Sequence, residues 1–288
     1  MKKLMTFTLM IMISICILNA QQEIKLYKNG PAESNGIKEH ESMLRSDFVI
    51  NIRNPRMYFY PAAKEKSIGS SVLICPGGGY VGVSVIKEGE EIAKWFNDLG
   101  VTAFVLYYRM PNGHSDIPLK DAQTALMIIK KGAKEWNLDE HKIGVMGFSA
   151  GGHLASTVGT HFTKNNRPDF MILAYPVITM NKKLTHTGSH ENLIGKDPNE
   201  KLVKFYSSEL HVEKNTPPTF MVVATDDDVV PVENSYMFYK ALQAKNVPAE
   251  IHTFPKGGHG FGMRKRGLEV DNWPDFLKKW LQTNKLIN

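Results

Sequence analysis

The hydrophobic and polar positions of this chain alternate between two patterns. Residues 101–108 are almost continuously apolar, which is typical of a parallel strand buried on both faces of a sheet. Residues 88–99 instead carry apolar side chains at helical spacing and end before Gly100, a residue common just beyond a helix. Because segments of these two kinds follow each other along the chain, we predict an α/β fold with a mostly parallel central sheet and helices on both faces.

The same patterns predict the other elements and one weakly patterned region. Strands are expected over residues 56–60, 71–75, 101–108, 142–147, 170–175, 219–224 and 250–254, and helices over residues 88–99, 119–136, 150–159, 232–244 and 273–281. Residues 176–218 lack a clear period and are longer than an ordinary loop. We predict that this stretch forms a short lid or rim insertion within one domain.

The first 20 residues have the features of an export signal. Two lysines precede an uncharged apolar run over residues 4–18, and Ala20 ends a Leu-Asn-Ala cleavage site. The run is shorter than the roughly 20 residues that a membrane-spanning helix needs. We therefore predict that residues 1–20 are a signal peptide and that residues 21–288 form one periplasmic or secreted domain without a membrane span.

Composition and charge exclude two classes of protein. Hydrophobic residues make up 42% and charged residues 22% of the chain, which is ordinary for a folded domain and excludes disorder as the main state. The net charge is +6, but the basic residues are interspersed with acidic ones and form no stripe. Nucleic acid is therefore not an expected partner.

Cysteines and clustered histidines give little support for a metal site. Cys16 belongs to the predicted signal, and Cys75 ends an apolar run, where we expect a buried side chain without a disulfide. Without a CxxC pair, a zinc site with thiolate ligands is excluded. His186 and His190 have the spacing of a helical metal pair, but Gly188 between them predicts a loop. We expect no metal.

The strongest candidate for chemistry is Gly147-Phe148-Ser149-Ala150-Gly151, which matches G-x-S-x-G. The motif lies where a predicted strand ends and a predicted helix begins, so a tight turn would hold the Ser149 hydroxyl clear of the sheet. The alternative is a glycine-rich turn with a capping serine. The position of the motif favours a nucleophilic serine.

A nucleophilic serine needs a base, because a hydroxyl is a poor nucleophile at neutral pH. His259 stands in the sequence Gly-Gly-His-Gly-Phe-Gly, just past the last predicted parallel strand. Flanking glycines suit a ring that must lean over an active site, so His259 is the predicted base. His153, four residues after Ser149, is expected to be packed and hydrogen-bonded, and His252, within a predicted strand, is expected to be structural.

Three adjacent aspartates, Asp226, Asp227 and Asp228, follow the predicted strand over residues 219–224. A carboxylate at this end could orient the base and stabilise its charged form. A solvated turn and a cation site are the alternatives. The order serine, aspartate, histidine is the one that α/β-hydrolases use, and it makes the set more specific than any one member.

A glycine-rich segment, Pro76-Gly77-Gly78-Gly79-Tyr80, follows the predicted strand over residues 71–75. The backbone N–H groups of Gly78 and Gly79, together with that of Ala150, could bind an oxyanion. Tyr80 could line the site or stack on a sugar ring, and a packed tyrosine is the equally weighted alternative.

A dinucleotide site is the other interpretation of these glycines. Gly77, Gly79 and Gly82 match G-x-G-x-x-G after a strand. That pattern requires an acidic residue at the end of the next strand, where this chain has Tyr107-Tyr108-Arg109. We therefore expect no nucleotide cofactor.

Taken together, these motifs resemble the α/β-hydrolase esterases of polysaccharide-degrading bacteria that are described as acetylxylan esterase-like. The resemblance covers roughly residues 55–285 and implies the α/β-hydrolase fold. In that pattern the catalytic acid stands three positions before a Val-Pro pair, which selects Asp227, and the nucleophile and base correspond to Ser149 and His259. The motifs that carry it are Pro76-Gly77-Gly78-Gly79-Tyr80, Tyr108-Arg109, Gly147-Phe148-Ser149-Ala150-Gly151-Gly152-His153-Leu154, Asp227 with Val230-Pro231, and Gly258-His259-Gly260-Phe261-Gly262.

The function expected from the residues and the resemblance is a serine carboxylesterase that needs no cofactor. Its substrate would carry short acyl groups, most simply acetyl, on a plant polysaccharide such as xylan or on its oligomers. The polar residues of the segment 176–218 argue against an apolar lid over the site. The alternatives are a general small-ester or lactone hydrolase, an exported peptidase of the same fold, and a carbohydrate-binding protein without activity.

Overall fold

The computed structural model describes residues 22–288, so the predicted signal peptide lies outside the described residues. The strands are β1 (Gln22–Lys25), β2 (Ser42–Arg45), β3 (Phe48–Ile50), β4 (Arg56–Tyr60), β5 (Ser71–Cys75), β6 (Gly82–Ser84), β7 (Thr102–Tyr107), β8 (Ile143–Phe148), β9 (Met171–Ala174), β10 (Thr219–Ala224) and β11 (Ala249–Phe254). The helices are α1 (Glu91–Asp98), α2 (Ile117–Gly132), α3 (Ser149–Thr160), α4 (Thr187–Ile194), α5 (Glu200–Phe205), α6 (Glu233–Ala244) and α7 (Trp273–Thr283). None of the helices within residues 22–288 is long and apolar enough to cross a membrane.

Eight strands form the central sheet, in the order β1-β4-β7-β5-β8-β9-β10-β11. All neighbouring strands from β7 to β11 are parallel, and β4 pairs antiparallel with both β1 and β7. Every residue of β5, β8, β9 and β10 is buried, which explains their nearly continuous apolar runs. The predicted α/β fold with a mostly parallel sheet is confirmed.

Helices cover both faces of this sheet, and alternate residues of each strand point to opposite faces. On one face, Leu73 of β5 belongs to the same core cluster as Leu126 of α2 and Leu154 of α3. On the other face, Ile74 of β5 packs in a cluster with Phe96 of α1. The inner strand β5 is therefore covered on both faces, as a buried parallel strand requires.

The C-terminal end of α2 differs from its prediction. The helix ends at Gly132 and not at Trp136, because the chain turns and the indole folds back against the helix. A Cβ atom on Gly132 would lie 2.7 Å from the Trp136 ring. The ring packs on Phe59 and Phe104, with centroid distances of 5.5 and 5.2 Å. This aromatic packing stops the helix early.

The segment 176–218 contains α4, α5 and a short 3₁₀ turn. The predicted loop around Gly188 is wrong, because this glycine lies in the first turn of α4. His186 caps the helix instead, since its Nδ1 atom accepts a hydrogen bond from Ser189 N at 3.3 Å. A capping residue before the helix offsets the cost of a glycine inside it.

The buried ion pair between Arg109 and Asp121 joins the chain just beyond β7 to α2. The side chains of both residues are almost fully buried, with exposed fractions of 2% and 0%. Arg109 donates from Nε and Nη2 to the carboxylate, and its backbone N–H donates to Asp121 Oδ2 at 3.0 Å. The Tyr27 hydroxyl also donates to Asp121, at 3.1 Å. The carboxylate is thus surrounded by donors.

The parallel strands bring the predicted site residues to one edge of the sheet. The chain leaves the carboxyl ends of β5, β8, β10 and β11 towards Gly77, Ser149, Asp227 and His259 respectively. In open parallel sheets, functional loops gather at these carboxyl ends. The topology therefore assembles the site from segments that are far apart in sequence.

We predict that Asp121→Asn destabilises the protein by about 3 kcal/mol or more, because it leaves the buried Arg109 charge without its partner. The matched control is Asp116→Asn, which removes an exposed partner of Lys120. That change should cost less than about 1 kcal/mol. Urea unfolding of both variants measures the difference, and equal losses would contradict a special role for the buried pair.

Candidate active site

Ser149 lies at a sharp turn between β8 and α3. Its φ angle is 52°, in the left-handed region that a residue with a side chain adopts only under constraint. The preceding residue is extended, so the chain reverses direction at the serine. A Cβ atom on Gly147 would lie 2.1 Å from the Gly151 carbonyl oxygen, and one on Gly151 would lie 2.1 Å from that of Cys75. Both glycines of the motif are therefore required by close backbone contacts.

Three side chains form a continuous hydrogen-bonded chain. The Ser149 hydroxyl lies 2.8 Å from His259 Nε2, and His259 Nδ1 lies 2.7 Å from Asp227 Oδ2. Asp227 Oδ1 accepts from the N–H groups of Val229 and Val230, both at 2.9 Å. Because the carboxylate can only accept, His259 carries its proton on Nδ1 and its Nε2 is free to accept from the serine.

The histidine loop (residues 257–262) is held in place by two charged side chains. Asp226 Oδ1 accepts from the N–H of Gly258 at 2.7 Å, and this bond lowers the pKa of Asp226. Arg266 donates to the carbonyl oxygens of Gly257 and Gly260, at 2.9 and 3.0 Å. The neighbouring Asp228 is exposed. Of the three aspartates, Asp227 meets the imidazole and Asp226 supports the loop that carries it.

The oxyanion loop (residues 76–80) lies against the serine. A Cβ atom on Gly77 would be 3.0 Å from Ser149 Cβ. The Gly77 N–H is already used, because it donates to the Glu88 carboxylate at 2.8 Å. Within residues 22–288, no hydrogen-bond acceptor meets the N–H of Gly78 or Gly79. These two groups, and Ala150 N–H at the start of α3, therefore remain the predicted oxyanion donors.

Tyr80 is packed, which contradicts its predicted role in binding substrate. Only 3% of its surface is exposed, so no ring face is free to stack on a sugar. Its hydroxyl lies 2.7 Å from His153 Nδ1, while His153 Nε2 lies 2.8 Å from the carbonyl oxygen of Tyr206. Because a carbonyl only accepts, Nε2 carries the proton and Nδ1 accepts from Tyr80. His153 is packed and hydrogen-bonded, as predicted.

His186 and His190 do not form a metal pair. His186 Nδ1 meets the Ser189 side chain at 2.8 Å, and His190 Nδ1 meets the Met180 carbonyl oxygen at 2.9 Å. Among residues 22–288 there is no group of three side chains suited to hold a metal ion. His186 instead lies beside the oxyanion loop, 3.7 Å from where a Cβ on Gly79 would be. Burial and the neighbouring His259 lower the pKa of His186.

Two other side chains lie where the sequence predicts. Cys75 is fully buried at the end of β5, and burial raises the pKa of its thiol. His252 lies in β11, where its ring stacks between Phe220 and Phe276. Its Nε2 atom lies 2.6 Å from the Glu250 carboxylate. Both side chains belong to the framework of the fold.

Three polar residues around the site were not found from the sequence. Glu88 and Tyr175 are buried between the oxyanion loop and the histidine loop, and Asn192 of α4 donates to the carbonyl oxygen of Gly79 at 2.8 Å. Glu88 precedes Ile92 by four residues and Phe96 by eight, so helical spacing puts a carboxylate on a buried stripe. That unusual position was the available signal. Tyr175 and Asn192 carry no comparable local signal.

A groove of about 620 Å³ lies between α4 and the loop that carries Asp227, and Asp227 is the member of the triad that lines it. Its lining is mostly polar. It includes Thr185, His186, Thr187, Thr225, Asp227, Asp228, Val229, Pro231, Val232 and Glu233. Another cleft, around Tyr27 and Arg56, contains no residue of the triad. The groove therefore borders the site on the side of Asp227.

Comparison with solved structures agrees with this fold and with the family predicted from the motifs. An acetyl ester-xyloside bifunctional hydrolase from Caldicellulosiruptor lactoaceticus superimposes with a TM-score of 0.81 at 36% identity, covering 93% of this chain and 98% of that one. A sugar hydrolase from Lactococcus lactis superimposes with a TM-score of 0.69 at 27% identity, covering 86% of this chain and 99% of that one. The structure is that of an α/β-hydrolase.

Residues 57–242 match the BD-FAE family, and the chain belongs to it. An acetylxylan esterase of Xylanibacter ruminicola is 36% identical over 223 residues, or 76% of this chain and 46% of that protein. Endo-1,4-beta-xylanase B of Butyrivibrio fibrisolvens is 40% identical over 204 residues, or 66% of this chain and 32% of that protein. The chain thus spans about half and about a third of these two relatives. The predicted resemblance to acetylxylan esterase-like hydrolases is confirmed.

We predict that Asp227→Asn lowers kcat at least about a hundredfold, because an amide cannot hold His259 in the required tautomer and stabilise its positive charge. Asp228→Asn, the exposed control, should change kcat less than about threefold. Asp226→Asn keeps an oxygen for Gly258 N–H and should fall close to the control. Steady-state hydrolysis of a nitrophenyl ester measures all three. A larger loss in Asp228→Asn would contradict the assignment.

We also predict that the buried His153 makes stability fall in acid. Burial lowers the pKa of His153 to about 4, from an ordinary value near 6.5. The unfolded chain therefore binds a proton that the folded chain excludes between these values. The free energy of unfolding should fall as the pH drops from about 6.5 to 4, by up to about 1.4 kcal/mol per pH unit for this histidine.

Urea unfolding at several pH values measures this effect. The variant His153→Gln should show a shallower pH dependence than the parent. The control, His141→Gln, replaces an exposed histidine and should leave the dependence unchanged. An unaltered slope in His153→Gln would show that other groups cause the acid sensitivity.

Proposed function

We propose that this protein is a serine carboxylesterase with Ser149 as nucleophile, His259 as general base and Asp227 as the acid that orients it. The observation that carries the proposal is the hydrogen-bonded chain from the Ser149 hydroxyl through His259 to Asp227. Attack of Ser149 Oγ on an ester carbonyl transfers the hydroxyl proton to His259 Nε2. Asp227 then faces the positively charged imidazole through Nδ1–H.

The carbonyl oxygen becomes negatively charged in this step and needs donors that are already in position. The N–H groups of Gly78, Gly79 and Ala150 supply them. When the tetrahedral intermediate collapses, His259 protonates the leaving alcohol and an acyl-enzyme remains on Ser149. A water molecule, activated by His259, repeats the sequence and releases the carboxylic acid.

The proposed substrate is a short acyl ester, most simply acetyl, on xylan or another plant polysaccharide or its oligomers. The names of the two related enzymes from Xylanibacter and Caldicellulosiruptor support acetyl esters as substrates. The polar groove beside Asp227 supports a hydroxyl-rich alcohol. The apolar residues Leu193 and Ile194 of α4 are buried, so these side chains form no exposed hydrophobic surface for a long acyl chain. Export, proposed from residues 1–20, would bring the enzyme to such polymers.

The test compares wild type and Ser149→Ala on acetylated xylan and on nitrophenyl acetate, butyrate and octanoate. Ser149→Ala should lose about a thousandfold or more in kcat, because only binding and oxyanion stabilisation remain. Wild type should release acetate from xylan and prefer the acetyl ester. A phosphonate ester probe should label Ser149 in wild type and leave the variant unmodified.

The possible outcomes separate the alternatives. Activity of Ser149→Ala within about tenfold of wild type would overturn the serine mechanism. Fastest turnover of octanoate without release of acetate from xylan would keep the serine esterase and reject the carbohydrate substrate. Cleavage of acyl-peptides in preference to esters would favour a peptidase. Binding of xylan without hydrolysis of any ester would favour a carbohydrate-binding protein.

A further inference from the structure

Glu88 is a buried carboxylate that the triad mechanism does not use. It lies in a π-helical turn, Ile86–Glu90, that leads into α1. Such wide turns are rare and often occur at functional sites. Here the turn directs both Glu88 and Gly89 into the protein. A carboxylate with an exposed fraction of 4% is costly to bury unless hydrogen bonds compensate it.

The hydrogen bonds of Glu88 lead in two directions. Its Oε2 atom accepts from the N–H of Gly77, in the oxyanion loop, at 2.8 Å. Its Oε1 atom accepts from the Tyr175 hydroxyl at 3.0 Å. That hydroxyl in turn accepts from the N–H of Gly262, in the histidine loop, at 3.1 Å. One continuous chain of three bonds therefore joins the two loops.

The two backbone N–H groups at the ends of this series of hydrogen bonds fix which atoms donate and which accept. The backbone N–H groups of Gly77 and Gly262 can only donate, so the carboxylate must accept at one end and the tyrosine oxygen at the other. The proton of Tyr175 therefore points to Glu88. Burial, followed by the Glu88 carboxylate, raises the pKa of Tyr175, so that the hydroxyl keeps this proton.

Glu88 lies close to Ser149, and Tyr175 lies close to His259. A Cβ atom on Gly77 would lie 2.7 Å from Glu88 Oε2 and 3.0 Å from Ser149 Cβ, so only glycine lets the carboxylate approach the back of the serine turn. The Tyr175 ring packs edge-on against the His259 ring, with centroids 5.0 Å apart. Tyr175 itself has a φ angle of 38°, a constrained conformation like that of Ser149.

We propose that Glu88 and Tyr175 are positioning residues that fix the oxyanion loop and the histidine loop relative to each other on either side of Ser149. The inference rests on the proposed esterase function, because the relative position of the loops matters only if both act on one substrate. A displacement of a reacting group by about 1 Å can lower the rate a hundredfold. Hydrogen bonds that fix the two loops relative to each other therefore affect the rate directly.

The kinetic test uses Glu88→Gln, Tyr175→Phe and the double variant. In Glu88→Gln, the new amide donates towards the tyrosine oxygen, and the tyrosine proton loses its acceptor. Each single variant should lower kcat for nitrophenyl acetate about 10- to 100-fold while KM changes less than about threefold. The double variant should be no slower than the slower single variant, because all three break the same chain.

The matched control is Tyr27→Phe. Its hydroxyl also donates to a buried carboxylate, that of Asp121, but in a part of the molecule remote from the triad. Its kcat should stay within about twofold of wild type. If Tyr175→Phe or Glu88→Gln matches this control, or if either changes KM alone, the proposal is overturned. A double variant whose loss is the product of the single losses also overturns it.

Amide hydrogen exchange measures the coupling between the two loops independently of catalysis. Tyr175→Phe should speed exchange of Gly262 N–H, and Glu88→Gln should speed exchange at both Gly77 and Gly262, although Glu88 does not touch Gly262. A purely local role of Glu88 would change Gly77 alone and would contradict the linkage. If Ser149→Ala kept its activity, the proposed function would fail, and exchange would still decide whether the loops are coupled.

Discussion

Ser149 is held in a left-handed backbone conformation by the packing of β8 against α3, and the geometry of the whole site is set by that turn. Such a conformation costs on the order of 1–3 kcal/mol for a residue with a side chain, so the surroundings must enforce it. Gly147 and Gly151 enforce it through backbone approaches that leave no room for a Cβ atom. The carbonyl of Ser149 is also fixed, because it accepts from Val177 N–H at 3.1 Å. The backbone that carries the hydroxyl is therefore held in one conformation.

The other members of the proposed triad are arranged around this point by hydrogen bonds, several of them to backbone N–H groups. The two oxygens of Asp227 have different partners. Oδ1 accepts from the N–H groups of Val229 and Val230, and Oδ2 accepts from His259. Charge-assisted bonds of this kind are shorter and stronger than neutral ones, so they fix the carboxylate as well as stabilising it. Because the orientation of each group is set before substrate arrives, little reorganisation is needed during the reaction.

The oxyanion loop is held by two side chains that come from different parts of the sequence. Glu88 holds the Gly77 N–H from within the fold, and Asn192 of α4 holds the Gly79 carbonyl oxygen from the segment 176–218. The second contact joins α4 to the loop that carries two of the proposed oxyanion donors. In this way, a segment with a weak sequence pattern helps to hold the oxyanion loop in place.

The sequence by itself determined most strands of the central sheet, the helices that cover it and the candidate reactive side chains. Strand and helix positions follow from local periodicity, and Gly147 and Gly151 flank a serine because the turn allows no larger residues there. The early end of α2 escaped this reasoning, because Trp136 stops the helix by packing on strand residues far away in the chain.

Tertiary structure alone decided the surroundings of these residues. Residue patterns left three adjacent aspartates open and the family resemblance selected Asp227, but only the fold shows that Asp227 meets the imidazole while Asp226 turns towards Gly258. Tyr80 is packed because His153, 73 residues away in sequence, meets its hydroxyl in the core. Glu88 and Tyr175 are 87 residues apart, yet they share one hydrogen bond. Local patterns carry no information about such partners, because each contact exists only after the sheet has aligned the ends of its strands.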